Sequence, residues 1–334
     1  MKRILLTGIG GFVGSHILSH ILKNTDWEVV GIASWTHKGT PERITEDDNY
    51  KANKDRVTVI THDLIAPFTE QTIKRIGKID YILNVAADSH VDRSITEPVR
   101  CIQNNVNIAT TMLELARVLK PEIFIQFSTD EVYGAAPDGV NHAEWSSILP
   151  SNPYSASKAC QEAIAISYWR TYGVPVVITN TMNVYGERQD SEKFLAKCIS
   201  KIEKGEVMTV HGREGYIGSR FYIHARNVAS AMLFLLGKKP SLYTDEGGVD
   251  RPDRYNVVGE VEMDNLSVAK LIAEIRGKEL KYELTDFHAT RPGHDRRYAL
   301  DGKKLKESGF EYPVSFRDSL TAYINWTLKN NNWL

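Results

Sequence analysis

A tyrosine and a lysine placed four residues apart could together remove a proton from a substrate hydroxyl. Tyr154 and Lys158 lie at the start of a predicted helix over 154–172, and this spacing puts both side chains on one helical face. A free tyrosine, with a pKa of about 10, is only about 0.1% ionised at pH 7 and is a poor base. A neighbouring ammonium group favours the phenolate, which can then take the hydroxyl proton while hydride leaves for a nicotinamide.

Two adjacent acids offer a second kind of chemistry. Asp130 and Glu131 follow Thr129 at the end of a predicted strand. Two carboxyl groups in a shared, desolvated pocket take different protonation states, so one can donate a proton while the other accepts one. An elimination of water needs such a pair. In isolation, the same dipeptide after a strand is usually a solvated loop, so this interpretation depends on the other motifs.

A glycine-rich loop near the N-terminus predicts a dinucleotide site. Gly8, Gly11 and Gly14 have GxxGxxG spacing and lie between a predicted strand and a helix that starts at Phe12 and Val13. Glycines allow a tight turn and close approach of the backbone to a ligand, and the helix N-terminus offers N–H groups and a partial positive charge to a pyrophosphate.

The adenosine end of this site lacks one expected residue. NAD-binding units usually carry Asp or Glu at the end of the second strand to hold the ribose, whereas this strand ends at Ala33 and Ser34. Lys38 and Arg43 follow, either as contacts for the 2′-phosphate of NADP or as solvated loop charges. NAD is the predicted cofactor and NADP stays open. Asp63 suits an adenine contact or a helix N-cap.

The order of the elements predicts an α/β fold. Short apolar runs alternate with helical patterns, which favours a Rossmann-like, doubly wound parallel sheet covered on both faces, followed by a smaller C-terminal α/β part that binds the substrate. We expect a nucleotide-binding domain over 1–180 and a substrate domain over 181–334, with some segments crossing between them. The stretch 245–254 is the most linker-like. The predicted strands are 3–7, 28–33, 57–61, 81–86, 123–128 and 176–179.

Composition excludes several classes of protein. Forty-one basic and 42 acidic residues give a formal charge of −1, which argues against nucleic acid or a membrane surface as a partner. Three scattered cysteines exclude a disulfide framework and favour a reducing compartment. The uncharged run 4–22 is interrupted by glycines and lacks a cleavage site, so we predict a cytoplasmic protein. His16 and His20 have metal-ligand spacing without an intervening Glu, and no metal site is predicted.

Four segments carry a resemblance to a known family: 84–94, 128–134, 154–159 and 291–299. The chain resembles the extended short-chain dehydrogenase/reductase enzymes that act on nucleotide sugars, and among these it most resembles the dTDP-glucose 4,6-dehydratases. Thr129-Asp130-Glu131 favours the dehydratases, because the sugar epimerases usually have Ser in place of the paired acids. A UDP-sugar 4,6- or 5,6-dehydratase and a UDP-sugar 4-epimerase remain the alternatives.

The resemblance implies a reaction with internal redox. Tyr154, tuned by Lys158 and assisted by Thr129, would take the O4 proton as hydride leaves C4. Glu131 would then remove the C5 proton, and Asp130 would protonate the departing C6 hydroxyl. The hydride would return to C6, giving a 4-keto-6-deoxy sugar and leaving NAD bound through many turnovers.

The resemblance also implies binding residues and an assembly. Further cofactor contacts are expected at Leu64, Ala86, Ala87 and Asn105. Substrate contacts are expected at Ser89, His90, Asn183, Glu192, Lys193, Arg220, Asn256 and Arg291. Two positions depart from the family's usual sequence: Glu187 stands where Pro is common, and Arg226 where an acid is common. The helices over 99–119 and 156–172 are expected to pair as a four-helix bundle in a homodimer.

Overall fold

The N-terminal half alternates strands and helices, as its sequence predicts. The computed structural model describes residues 1–36, 38–286 and 293–333. The strands of this half are β1 (Arg3–Thr7), β2 (Glu28–Ala33), β3 (Val57–Thr61), β4 (Tyr81–Asn84), β5 (Ile123–Thr129) and β6 (Val176–Thr181). The helices are α1 (Phe12–Asn24), α2 (Glu42–Thr45), α3 (Asp48–Asn53), α4 (Glu70–Ile76), α5 (Val91–Thr96), α6 (Pro98–Leu119) and α7 (Pro153–Tyr172).

The C-terminal half contains shorter strands and several amphipathic helices. Its strands are β7 (Asn183–Tyr185), β8 (Met208–Arg213), β9 (Tyr216–Ile217), β10 (Ser219–His224), β11 (Tyr243–Thr244), β12 (Asp250–Arg251), β13 (Asp253–Val257), β14 (Glu262–Asp264) and β15 (Tyr282–Thr285). Its helices are α8 (Phe194–Lys204), α9 (Ala225–Leu236), α10 (Asn265–Arg276), α11 (Lys303–Glu307) and α12 (Phe316–Lys329).

The central sheet is parallel and, within the described residues, has seven strands. Their order is β13-β6-β5-β4-β1-β2-β3, and every neighbouring pair runs parallel. This confirms the predicted Rossmann-like fold. The linker-like interpretation of 245–254 is wrong at its C-terminal end, because Asp253 and Arg254 begin the edge strand β13. The charges of both side chains are paired by residues far away in the sequence.

Alternation along the strands sends apolar side chains to both faces of the sheet. In β1, Ile4 and Leu6 pack with one layer of the core, which includes α1 and α9. Leu5 points the other way and packs with α4, α6 and α7. A third apolar cluster lies among α8, α10 and α12 in the C-terminal half. Because both faces are covered, the carboxyl ends of the strands are left as the open edge where a ligand can bind.

Candidate active site

A cleft of about 810 Å³ lies at the carboxyl ends of the central strands. Its floor is the glycine-rich loop after β1, and its walls come from the segments that follow β2, β3 and β4, from Phe127 and Ser128 near the end of β5, and from α7. The segment 189–193, before α8, closes one side. The cleft therefore lies where open parallel sheets bind nucleotides.

The glycine loop leaves room for a phosphate at the start of α1. Gly8 has φ +68°, a left-handed conformation that strains other residues. A Cβ on Gly14 would lie 2.1 Å from the carbonyl oxygen of Gly8, so a side chain there would push the helix away from the turn. Gly11 caps α1 without a side-chain hydrogen bond, and the first turn carries no acid. The helix N-terminus is therefore able to bind an anion.

The adenosine end of the cleft is formed by the end of β2 and by Asp63. The Asp63 side chain accepts a hydrogen bond from the amide of Ile65, so it caps a turn and not a helix. Lys38 forms an ion pair with Asp190, at 2.8 Å. Arg43 is buried and donates from Nε to the carbonyl oxygen of Arg188 at 3.0 Å. Both cations that could meet a 2′-phosphate are thus already engaged by other groups.

The predicted tyrosine–lysine pair lies at the start of α7, which begins at a well-capped N-terminus. Asn152 and Ser155 form a capping box. Burial and the charges of Glu131 and Asp130 raise the pKa of Tyr154, while a hydrogen bond with Thr129 opposes the rise. Tyr154 therefore depends on nearby positive charge to lose its proton.

Lys158 is buried one helical turn after the tyrosine. Its ammonium donates to the carbonyl oxygen of Phe127 and to Oε1 of Gln161, both at 2.6 Å. Burial lowers the pKa of Lys158 to about 8, and the charge of Glu162 opposes this. The lysine can therefore stay protonated near neutral pH and supply positive charge beside the cleft.

The two acids follow β5 in a short 3₁₀ turn and have different surroundings. Asp130 is 4% exposed and accepts a hydrogen bond from Thr129 at 2.8 Å, while its Oδ2 has no hydrogen-bond partner among the described residues. Burial and the charge of Glu131 raise the pKa of Asp130 to about 7.

Glu131 is only partly buried and receives more support for its charge. Its Oε2 accepts from Nδ2 of Asn152 at 3.2 Å. Burial raises its pKa, and the Asn152 hydrogen bond and the charges of Arg220 and Lys193 oppose the rise. The two neighbouring carboxyl groups thus have different donors and charges around them, as an acid and a base in one pocket need.

A buried ion pair behind the catalytic strand was not predicted. The Glu162 and Arg254 side chains are both 0% exposed and lie 2.8 Å apart. Glu162 also accepts from the hydroxyl of Ser128 at 2.5 Å and from the amide of Asn180 at 2.7 Å. Glu162 follows Lys158 by four residues, and this shared helical face was the available sequence signal.

Comparison with known proteins agrees with this geometry. A family model described as GDP-mannose 4,6 dehydratase matches residues 5–322. The chain belongs to that family. It is also 33% identical over 358 residues to a dTDP-glucose 4,6-dehydratase of Shigella flexneri, an alignment that covers 99% of this chain and 94% of that protein. The predicted resemblance to extended short-chain dehydrogenase/reductase enzymes is thereby confirmed.

Two further relatives bear on ligands. The chain is 32% identical over 339 residues to an Arabidopsis thaliana trifunctional UDP-glucose 4,6-dehydratase/UDP-4-keto-6-deoxy-D-glucose 3,5-epimerase/UDP-4-keto-L-rhamnose-reductase, covering 99% of this chain and 48% of that one. The dTDP-glucose 4,6-dehydratase of Streptomyces venezuelae, solved with NAD bound, superposes with a TM-score of 0.85 and 28% identity, covering 99% of this chain and 98% of the other.

In this family member, the structure brings most of the predicted cofactor residues to one cleft. Asn105 is the exception, because it is buried behind the wall, where it bonds both backbone groups of Asp88 and the hydroxyl of Ser157. It can position the segment after β4 without touching a ligand. The predicted cofactor residues that line the cleft are Gly8, Gly11, Phe12, Val13, Gly14, Asp63, Leu64, Ala86, Ala87, Tyr154 and Lys158.

The predicted substrate residues divide into two groups. Ser89, His90 and Lys193 line the cleft. Glu192 lies at its mouth, 3.4 Å from the ammonium of Lys38 and 3.5 Å from the ring of His90. Lys193 also connects this group to the acids, because its charge acts on Glu131.

The second group is not part of the cleft lining, although the charge of Arg220 acts on both acids. Asn256 is fully buried and donates to the carbonyl oxygens of His142 and Asp301, while its Oδ1 has no hydrogen-bond partner among the described residues. Arg220 is also buried. It stacks on the ring of Tyr298, 4.5 Å from the ring centroid, and donates only to backbone carbonyl groups in the described residues.

Two other predicted substrate positions stay untested by these contacts. Asn183 is an exposed residue at the start of β7 and is not part of the cleft lining. Arg291 lies outside the described residues. Within those residues, no group of three or more His, Cys, Asp and Glu side chains is arranged to hold a metal ion.

Proposed function

We propose that this protein is an NAD-dependent nucleotide-diphosphate-hexose 4,6-dehydratase, with dTDP-glucose as its most favoured substrate. The observation that carries the proposal is the pair Asp130 and Glu131, in different electrostatic surroundings and acting on the pKa of Tyr154. A 4-epimerase returns hydride to C4 and needs no such acid pair. The acids therefore favour elimination over epimerisation.

Tyr154 acts on the substrate's O4 hydroxyl in this proposal. The Thr129 hydroxyl is within hydrogen-bond reach of Tyr154, and Lys158, one turn later on α7, supplies an ammonium that would favour the phenolate. Bound NAD would accept a hydride from C4 and later supply one to C6.

The two acids then divide the elimination between them. Asp130, whose pKa is raised to about 7, holds a proton that it can give to the C6 hydroxyl. Glu131 has the Asn152 donor and two positive charges near it, so it is suited to remove the C5 proton. Glu131 would return its proton to C5 as C6 receives the hydride that the cofactor held, so that the net reaction is loss of water.

The cleft fits a dinucleotide cofactor on its own geometry. The absence of a side chain on Gly14 lets α1 start in close contact with the Gly8 carbonyl, and the first residues of α1 line the same cleft. The engagement of Lys38 by Asp190 and of Arg43 by backbone oxygens supports NAD over NADP, because neither cation is left to pair with a 2′-phosphate. The NAD-bound Streptomyces venezuelae relative supports the same choice.

A second candidate substrate differs from dTDP-glucose in its nucleotide. The Arabidopsis thaliana relative acts on UDP-glucose, and this favours a UDP-sugar as the second candidate. The experiment incubates purified protein, without added cofactor, with dTDP-glucose, UDP-glucose or UDP-N-acetylglucosamine, and mass spectrometry follows the loss of one water. Dehydration of dTDP-glucose is expected. Conversion without mass loss would instead show an epimerase and contradict the proposal.

We further propose a cytoplasmic homodimer built from two domains, 1–180 and 181–334, with β13 crossing into the first. None of the helices in the described parts of the chain is both long and apolar enough to span a membrane.

Val99 and Val118 on α6 and Tyr172 on α7 are exposed, which supports pairing of these helices between two copies. Light scattering at micromolar concentration tests the dimer, and a monomer would contradict it.

A further inference from the structure

A buried cluster of charged and histidine side chains lies behind the segment that closes the cleft. Glu187 is buried, and its Oε1 pairs with the guanidinium of Arg226. Its Oε2 lies 3.2 Å from Nε2 of His224. Its backbone carbonyl oxygen lies 2.8 Å from Nε2 of His16. A single glutamate is thus the centre of contacts with three other side chains.

The cluster has an internally consistent charge arrangement. Nδ1 of His224 accepts a hydrogen bond from the backbone amide of Arg226, so the ring proton is on Nε2, which lies 3.2 Å from Glu187 without an aligned hydrogen bond. Although burial opposes it, the contact with His224 and the charge of Arg226 hold the pKa of Glu187 well below its usual range. Burial and the charge of Arg188 lower the pKa of His16 to about 4, so His16 is neutral. Glu187 therefore remains ionised and needs its partners.

These contacts tie three parts of the fold together. His16 belongs to α1, the helix whose N-terminus faces the cleft, and His224 and Arg226 lie at the start of α9. Glu187 belongs to the segment 186–193, which brings Gln189, Asp190 and Lys193 to the cleft wall. Fixing Glu187 therefore fixes the place of the cleft-lining residues that follow it.

Two other ion pairs hold the middle of segment 186–193, at Arg188 and Asp190. Arg188 lies 3.1 Å from Asp47, and Asp190 lies 2.8 Å from Lys38. The two acids have separate supports, since Asp130 is bonded to Thr129 and Glu131 to Asn152. None of the hydrogen bonds and ion pairs named here joins segment 186–193 to the two acids. The segment reaches the acids through the charge of Lys193, whose effect on the pKa of Glu131 is smaller than those of Asn152 and Arg220, so moving it should change substrate binding more than the chemical step.

We propose that Glu187 is a positioning residue for substrate binding: with Arg226 and His224 it fixes segment 186–193 against α1, so that Lys193 faces the diphosphate of the nucleotide sugar. This inference rests on the proposed function for the identity of the ligand. The positions of Glu187 and Arg226, each a departure from the family's usual sequence, are explained together, since either charge alone would lose its partner.

The test compares Glu187→Gln, Arg226→Gln and the double variant with the wild-type full-length protein. We expect the KM for dTDP-glucose to rise about tenfold to a hundredfold in Glu187→Gln, the effect of losing a charge-assisted bond, while kcat changes by less than about threefold. The double variant should show a KM no worse than Glu187→Gln, because the two residues act through one ion pair. Arg226 is 48% exposed, so its variant should fold even if Glu187→Gln does not.

Hydrogen-exchange mass spectrometry gives a readout that does not depend on the substrate. Amides of 186–193 should exchange faster in both single variants, whereas those of the catalytic segment 128–133 should not change. Glu274→Gln, which removes an exposed ion pair with Arg317, is the matched control and should alter neither exchange nor KM.

Unchanged exchange in 186–193, or a kcat loss at unchanged KM, would overturn the positioning role. A wild-type protein that dehydrates no nucleotide sugar would instead contradict the proposed function, and the exchange result would still decide the role of Glu187.

Discussion

Replacing Asp130 by Asn should stop the elimination but leave the first oxidation. The amide of Asn has nearly the same shape as the carboxyl group, but it has no acidic proton to give to the C6 hydroxyl. A positioned general acid contributes about 10²–10⁴-fold to a rate, so turnover should fall by that factor. Tyr154 and Lys158 are untouched, so substrate should still reduce bound NAD. In the wild type, turnover that depends on protonated Asp130 should fall as the pH rises above about 7.

The same substitution should stabilise the fold, because Asp130 is buried with an unpartnered oxygen. Its pKa is raised from 3.8 to about 7. At about 1.4 kcal/mol per pKa unit, this shift corresponds to about 4 kcal/mol of lost stability when the group is charged, as an upper limit. The folded state holds the proton more tightly than the unfolded state. Stability contributed by protonated Asp130 is therefore present at pH 4, declines between pH 4 and 7, and changes little above.

Two assays follow these effects in Asp130→Asn. Absorbance of enzyme-bound NADH reports the oxidation, and urea unfolding from pH 4 to 8 reports the stability. The variant's advantage in free energy of unfolding should grow up to about pH 7 and then level off. Glu131→Gln is the comparison variant, because it keeps Asp130 but removes the neighbouring charge that helps to raise the pKa of Asp130. Full turnover by Asp130→Asn, or a stability advantage that does not vary with pH, would refute the assignment of Asp130 as the proton donor.

Three further substitutions test other parts of the site. Lys158→Met should slow NADH formation by about a hundredfold or more in stopped-flow absorbance, because the buried ammonium is lost; an unaltered rate would contradict its role. Glu162→Gln should lower the free energy of unfolding in urea by about 3–5 kcal/mol, because its buried arginine partner loses its counter-charge, and a loss below about 1 kcal/mol would argue against this. Gly14→Ala should abolish co-purification of NAD, because the new Cβ would lie 2.1 Å from the Gly8 oxygen and displace α1 from the glycine loop. Retention of NAD by a well-folded variant would contradict the role of this loop in binding the cofactor.

The strands of the first half were predictable because their burial is local and apolar. The predicted bounds of β1, β2 and β3 are those observed, since each is a short apolar or β-branched run between polar segments. β13 was missed for the opposite reason. Asp253 and Arg254 make its start look polar, yet Lys304 and Glu162 neutralise them from distant parts of the chain. Such pairing depends on tertiary contacts that no local pattern contains.

The sequence predicted which residues could carry the chemistry, but it did not predict which polar residues contact the protein's own backbone. Motif spacing located Tyr154, Lys158 and the two acids, because they lie on neighbouring elements at one end of the sheet. Arg220 and Asn256 have polar side chains that suit a ligand equally well. In the structure the donors of both side chains bind backbone oxygens, and neither residue is part of the cleft lining. The type of a polar residue does not indicate whether its hydrogen-bond partner is a ligand or the protein's own backbone.

Two buried carboxyl groups beside β5 show what separates a structural acid from a catalytic one. Glu162 has three donors, from Ser128, Asn180 and Arg254, so its charge is neutralised and its oxygens are satisfied. Asp130 has one donor, from Thr129, and an oxygen without a partner in the described residues. Burial with few donors raises the affinity of a carboxyl group for a proton, and this is why Asp130, and not Glu162, is our proposed proton donor.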